Sequence, residues 1–182
     1  MAVFLLLLPL LATGGVTYSQ TGGKSRVMKT LTVQSASFKS NDMIPPEYTC
    51  DGTNISPHIK WSGAPEGTKS FALLCDDPDA PVGDWVHWIA YNIPSNVSEL
   101  PEHFLVKGGQ LPGVKGGTND FGRLEYGGPC PPSGVHRYFF KIFALDAPLS
   151  ISEGAKKADL LKSMEGHILA RGELIGKYTR KR

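Results

Sequence analysis

The sequence predicts a single, mainly β domain with helices near its C-terminus. Its 182 residues suit one domain with a sizeable core, and 41% hydrophobic with 20% charged residues is typical of globular proteins. Strand-like apolar runs dominate the chain, and clusters of proline and glycine separate them. A clear helical pattern is found only near the end. This order is typical of a β-rich domain rather than of alternating β and α units.

The strand-like runs are predicted in chain order at residues 30–38, 70–75, 85–93 and 138–145. The first alternates only weakly between apolar and polar side chains. The last two are apolar on both faces, which indicates strands that other layers cover on both sides. Lys156 to Glu165 carries apolar residues at helical spacing and is followed by Gly166, so a helix is predicted there. Residues 167–178 are ambiguous between helix and strand.

The N-terminus predicts export. Residues 1–20 are interpreted as a signal peptide, residues 21–29 as a flexible linker and residues 30–182 as the single domain. The apolar run from Ala2 to Ala12 has the length of a signal-peptide core and is too short to span a bilayer. A positively charged start and an Ala-x-Ala cleavage site are missing. A periplasmic or secreted protein without a stable membrane anchor is favoured, and the alternative is translation from Met28, which would give a cytoplasmic protein.

The charge distribution argues against nucleic-acid binding. The formal net charge is +2, and four of the positive charges lie in the last six residues. The rest of the chain is therefore close to neutral. It has no basic face of the kind that follows a phosphate backbone.

The three cysteines do not have the spacing of metal ligands, so no metal site is expected. Cys75 lies in an apolar run and is interpreted as a core residue. Cys50 and Cys130 both lie in turn-rich loops. They could form one disulfide in an exported protein, and they would be free thiols in a cytoplasmic one.

Two histidines stand at the start of apolar strands. Alternation along a strand predicts two sets of side chains that each share one face: Trp85, His87, Ile89 and Tyr91 in one strand, and His136, Tyr138 and Phe140 in the other. The segment DDPDAP places Asp76, Asp77 and Asp79 at the exit of the run 70–75, where prolines stiffen the chain. Together these groups predict a small polar site with an aromatic wall.

The motifs DDPDAP, DWVHW, NDFG, YGGPCPPSGVHRYFF and YTCDGTNISP resemble the phosphatidylethanolamine-binding protein family, and more narrowly its bacterial branch of Raf-kinase-inhibitor-like proteins. The resemblance covers roughly residues 31–178. It implies an antiparallel β-sandwich with a large central sheet, a smaller second sheet and a few flanking helices near the C-terminus. It also implies a small anion pocket whose ligand-binding residues are Asp77, Asp79, Trp85, His87, Gly128, Pro129, Pro131, His136 and Tyr138.

The resemblance implies a non-catalytic protein that binds small anions or phosphorylated head groups without a cofactor. Such a protein could regulate a partner such as a kinase or a protease, and it could form a homodimer. In this pocket, we expect glycine to let the loop backbone approach the ligand, and Asp77 to orient a histidine. The alternative is a hydrolase that uses His and Asp for acid–base chemistry on phosphate or acyl esters, although no activated nucleophile is evident.

Overall fold

The computed structural model describes residues 28–180. The predicted signal peptide and most of the predicted linker lie outside this range, but Lys29, the last residue of the predicted linker, already belongs to the first strand. Within residues 28–180, no helix is long and apolar enough to cross a membrane.

The described elements are strands β1 (Lys29–Thr30), β2 (Thr32–Gln34), β3 (Ile59–Ser62), β4 (Ser70–Asp77), β5 (Trp85–Pro94), β6 (Glu99–Leu100), β7 (Lys115–Gly116), β8 (His136–Leu145) and β9 (Ile168–Tyr178), a 3-10 turn (Pro46–Tyr48) and helix α1 (Lys157–Met164). The large sheet has the strand order β1-β9-β8-β4-β5-β7, and the small sheet has the order β2-β3-β6. The predicted mainly β fold with a large and a small sheet is therefore confirmed. One pairing in the large sheet, between β1 and β9, is parallel.

The large sheet is covered on both faces. On one face, Trp61 of the small sheet packs against Phe71 of β4, with ring centroids 5.2 Å apart. On the other face, Leu160 and Met164 of helix α1 are fully buried in a second apolar cluster that includes Leu74. Two covered faces explain why β4, β5 and β8 are apolar runs rather than alternating ones.

The secondary structure of two segments differs from the sequence-based prediction or was left open by it. The weakly alternating run 30–38 is divided between the two sheets: β1 joins the large sheet, and β2 joins the small one. The strand ends at Gln34, earlier than the pattern predicts. The ambiguous run 167–178 is strand β9 from Ile168 onward, because this part pairs with β8 along its length. Such long-range pairing is invisible in local propensity.

Candidate functional site

A cavity of about 210 Å³ lies where β4 ends and where β5 and β8 begin. It is lined by Asp77, Ala80, Pro81, Val82, Trp85, His87, Phe121, Cys130, Pro131, Pro132, His136 and Tyr138. Of the nine predicted site residues, Asp77, Trp85, His87, Pro131, His136 and Tyr138 lie in this lining. The other three, Asp79, Gly128 and Pro129, do not.

A β-bulge directs His87 toward this cavity. Val86 pairs with Asp76 and Trp88 pairs with Cys75, so His87 is the extra residue on β5 between two consecutive partners on β4. A bulge changes which face the following side chains occupy. The prediction that His87 shares a face with Ile89 and Tyr91 is therefore wrong: those two residues pack in the cluster under helix α1.

The tautomer of His87 is fixed by a backbone contact. Its Nδ1 lies 2.5 Å from the carbonyl oxygen of Gly127, and a carbonyl only accepts, so Nδ1 carries the hydrogen. The side chain is deeply buried, and the residue is 3% exposed. Burial lowers the pKa of His87, which leaves the ring neutral near pH 7. Nε2 of a neutral ring with this tautomer is a hydrogen-bond acceptor.

The second histidine is held by a carboxylate. His136 Nδ1 donates to Asp77 Oδ2 at 2.8 Å, and both residues are buried. The other oxygen of Asp77 accepts the backbone N–H of Asp79 at 2.8 Å. Asp77 therefore orients His136, and the turn after β4 orients Asp77.

Asp76 and Asp79 have partners outside the cavity. Asp79 binds Arg137 through two side-chain hydrogen bonds of 2.8 and 2.7 Å, and this pairing lowers the pKa of Asp79 to about 2. Asp76 lies on the opposite face of β4, where Lys141 and Lys157 donate to it at 2.6 and 2.8 Å. Only Asp77 of the three aspartates lines the cavity.

The loop 126–134, which is rich in glycine and proline, supports the cavity in a way that differs from the expectation. A Cβ atom at Gly128 would lie 2.5 Å from the carbonyl oxygen of Tyr48, so glycine here allows close approach to the protein backbone rather than to a ligand. The N–H of Gly128 donates to Asn54 Oδ1 at 2.7 Å. Next to it, Cys50 and Cys130 form a disulfide, one of the two states that the sequence leaves open. Pro131 follows this anchor and lines the cavity.

Aromatic rings form the remaining wall. The rings of Phe121 and Tyr138 meet the His87 ring edge-on, at centroid distances of 5.3 and 5.1 Å. The Tyr138 hydroxyl is buried without a well-formed hydrogen bond. Burial, and then the nearby charge of Asp77, raises the pKa of Tyr138, so the hydroxyl keeps its proton as a donor.

Phe121 is a cavity residue that the sequence reasoning missed, although its motif NDFG was part of the resemblance. Asn119 of this motif holds the turn: its Oδ1 accepts the backbone N–H groups of Phe121 and Arg123 at 3.1 and 2.9 Å. Its Nδ2 donates to the carbonyl of His87 at 3.1 Å. The order Asn-Asp-Phe-Gly, in which an asparagine can hold a tight turn that presents the phenylalanine, is the sequence signal that could have indicated Phe121.

The cavity combines two imidazoles, one carboxylate and one phenol. In the part of the chain that the structure describes, its lining has no serine, no threonine and no free cysteine, since Cys130 is in the disulfide. Across residues 28–180, no group of three or more His, Cys, Asp or Glu side chains is arranged to hold a metal ion. The described site is therefore equipped for hydrogen bonding and proton exchange.

Comparison with known proteins identifies the class to which this fold and site belong. The family model for phosphatidylethanolamine-binding protein matches residues 34–179. A UPF0098 protein of Aquifex aeolicus is 54% identical over 81% of this chain and 88% of its own length, and one of Methanothermobacter thermautotrophicus is 50% identical over 82% and 99%.

Two crystal structures are similar in fold. A phosphatidylethanolamine-binding protein homologue from Chlamydia trachomatis has a TM-score of 0.77 and 39% identity, over 84% of this chain and 99% of its own. YbcL of Escherichia coli, described as a new member of the mammalian family, has a TM-score of 0.77 and 35% identity, over 83% and 99%. This chain belongs to the phosphatidylethanolamine-binding protein family, and its relatives here are bacterial and archaeal.

Proposed function

We propose that this protein binds small anions or phosphorylated head groups in the cavity between His87 and His136, without catalysing a reaction. The observation that carries the proposal is that β4, β5 and β8 bring Asp77, His87, His136 and Tyr138 to one small cavity. Polar side chains buried together need partners, and a bound anion can supply them.

The size of the cavity limits the guest to a small group. Pockets for drug-sized molecules have volumes of roughly 300–1,000 Å³, and this cavity has about 210 Å³. A phosphate or carboxylate group fits such a volume, while the rest of a larger molecule would remain outside. The aromatic wall excludes water from one side and strengthens the hydrogen bonds made inside.

Calorimetric titration with inorganic phosphate tests the proposal. We expect His87→Ala and His136→Ala each to weaken binding by roughly 1–3 kcal/mol, because each removes a hydrogen-bonding group from a buried site. His58→Ala is the matched control, since His58 lies outside the cavity lining and contacts Glu99. Full-strength binding in both pocket variants, with an unchanged fold, would refute the assignment.

The Asp77–His136 pair also resembles the base and orienting carboxylate of a hydrolase. In such an enzyme, His136 would activate a water molecule, because the lining residues that the structure describes offer no side-chain nucleophile. The same protein samples can be incubated with 4-nitrophenyl phosphate and 4-nitrophenyl acetate. Turnover that disappears in His136→Ala would replace the binding proposal with the hydrolase.

A further inference from the structure

We propose that the cavity selects anions that carry a proton of their own, such as the monoanion of a phosphomonoester, over anions of similar shape that carry none. This inference rests on the proposed function and specifies the class of ligand. It follows from the hydrogen-bonding roles that the fold imposes on the groups around the cavity.

The first step is the orientation of the His87 proton. The Gly127 carbonyl fixes the hydrogen on Nδ1, and the Gly127 N–H returns a bond of 3.0 Å to the His87 carbonyl, so the ring has little freedom to turn. Nε2 has no hydrogen bond within residues 28–180 and belongs to a ring that lines the cavity. An oxyanion without a hydrogen would place its lone pairs against the lone pair of Nε2. A guest with an O–H group would donate to it.

The second step is the charge around the cavity. The titratable and charged groups around His87 are Asp77 and, on the other face of β4, Asp76, then Asp120 of the segment 119–127, and His136 and Tyr138 of β8. Among residues 28–180, the lining contains no lysine and no arginine. Arg137 lies nearby, but its guanidinium group forms a salt bridge with Asp79. Within residues 28–180, a dianion would therefore find no lysine or arginine in the lining, and His136 is already paired with the Asp77 carboxylate. A monoanion carries less negative charge into the cavity, so fewer positive groups are needed to offset the cost of burying it.

The third step is the match between guest and site. A phosphomonoester monoanion has one O–H donor and other oxygens that accept. The donor suits Nε2 of His87, and the accepting oxygens suit the Tyr138 hydroxyl, which is buried and lacks a well-formed bond. Sites that offer a fixed acceptor reject guests that cannot donate, because a buried polar group is then left unpaired.

Methyl phosphate and methyl sulfate form a matched pair of probes. They have similar shapes, but methyl sulfate is a monoanion without a proton throughout the range of the experiment. A phosphomonoester loses its second proton at a pKa of about 6. Near pH 6, we expect calorimetry to give methyl phosphate an affinity about tenfold higher. Near pH 8, where the ester is a dianion, this preference should disappear. Because the charge of methyl sulfate is constant, its pH profile reports the titration of the protein alone.

His87→Gln tests the assigned acceptor. A glutamine amide can donate as well as accept, so the ratio of the methyl phosphate affinity to the methyl sulfate affinity should fall severalfold. His167→Gln is the control, because His167 is outside the cavity and pairs with Asp146. The ³¹P chemical shift of methyl phosphate bound to the unaltered protein gives a second readout. The bound ester should keep its proton at a higher pH than the free ester.

The outcomes separate the inference from the proposed function. Equal affinities for the two probes near pH 6, or tighter binding of methyl sulfate, would overturn the inference and leave anion binding intact. A bound ester that loses its proton at the same pH as the free ester would also overturn it. If neither probe binds at millimolar concentration, both the inference and the proposed function are refuted.

Discussion

At the scale of single residues, the three aspartates of DDPDAP have three different environments. Asp76 is fully buried against two lysines on one face of β4, Asp77 holds His136 on the other face, and Asp79 pairs with Arg137. The sequence placed all three at the end of a core strand. It could not distinguish them, because their partners lie 58 or more residues away along the chain.

His87 gives a prediction about the pH dependence of stability. Burial lowers the pKa of His87, so between that lowered value and the ordinary value of about 6.5 the unfolded chain binds the proton more readily. The free energy of unfolding should therefore fall as the pH is lowered through this window. Urea unfolding at a series of pH values should show a shallower fall in His87→Gln than in the unaltered protein.

The control for this experiment is His167→Gln, which changes an exposed histidine that pairs with Asp146. It should leave the contribution of His87 in place. A His87→Gln profile as steep as that of the unaltered protein would contradict a neutral, buried His87.

At the scale of elements, local irregularities position the site. Strand identities for β4, β5 and β8 were predictable, because each is a long apolar run. The bulge that redirects His87 was not, since two residues opposite one partner leave no mark on the hydrophobic pattern. The glycines and prolines of the loop 126–134 indicate turns, but its attachment to the segment 48–54 depends on contacts between distant parts of the chain.

The disulfide in this loop gives a second prediction. Cys50→Ser combined with Cys130→Ser opens a link that closes 80 residues of chain, and we expect the free energy of unfolding to fall by about 2–5 kcal/mol. Phosphate binding should also weaken, because Cys130 and Pro131 form part of the cavity wall. Urea unfolding and calorimetry measure the two effects.

Unaltered protein treated with a reductant provides the control, and it should behave as the double variant does. If both samples bind phosphate as tightly as the oxidised protein, the hydrogen bonds of Gly128 and Cys50 are sufficient to hold the wall in place.

At the scale of the whole molecule, the large sheet separates two regions: the cavity with the small sheet on one face, and helix α1 on the other. One face carries the cavity at its end and packs against the small sheet. The other face carries helix α1, which is tied to the sheet by Lys157 and Asp76. Although burial opposes it, pairing with Asp76 and Asp84 raises the pKa of Lys157, so this lysine stays charged. The sequence predicted the layers and the helix, but it gave no indication of which residues join them.

The pairing of Asp76 with two lysines predicts that substitutions of these lysines have non-additive effects on the free energy of unfolding. Lys141→Met or Lys157→Met alone leaves Asp76 with one cationic partner, and each should cost about 1 kcal/mol. The double variant leaves the buried Asp76 carboxylate without either lysine. Its free energy of unfolding should therefore fall by at least about 1 kcal/mol more than the sum of the two single losses. Urea unfolding of the four proteins measures the coupling.

Phosphate affinity is the internal control, because Asp76 lies on the face of β4 opposite to the cavity. The affinity should be unchanged in the two single variants. Additive costs would show that the two lysines do not share the charge of Asp76, and a loss of phosphate affinity would contradict the separation of the two faces.

The most direct test of anion binding between the two histidines uses the imidazole ¹⁵N resonances of the five histidines during titration with inorganic phosphate. The account predicts that the ring nitrogens of His87 and His136 shift together and saturate with one dissociation constant. Those of His58, His103 and His167, which do not line the cavity, should remain in place. Stationary resonances of His87 and His136, or equal shifts in all five rings, would contradict the account.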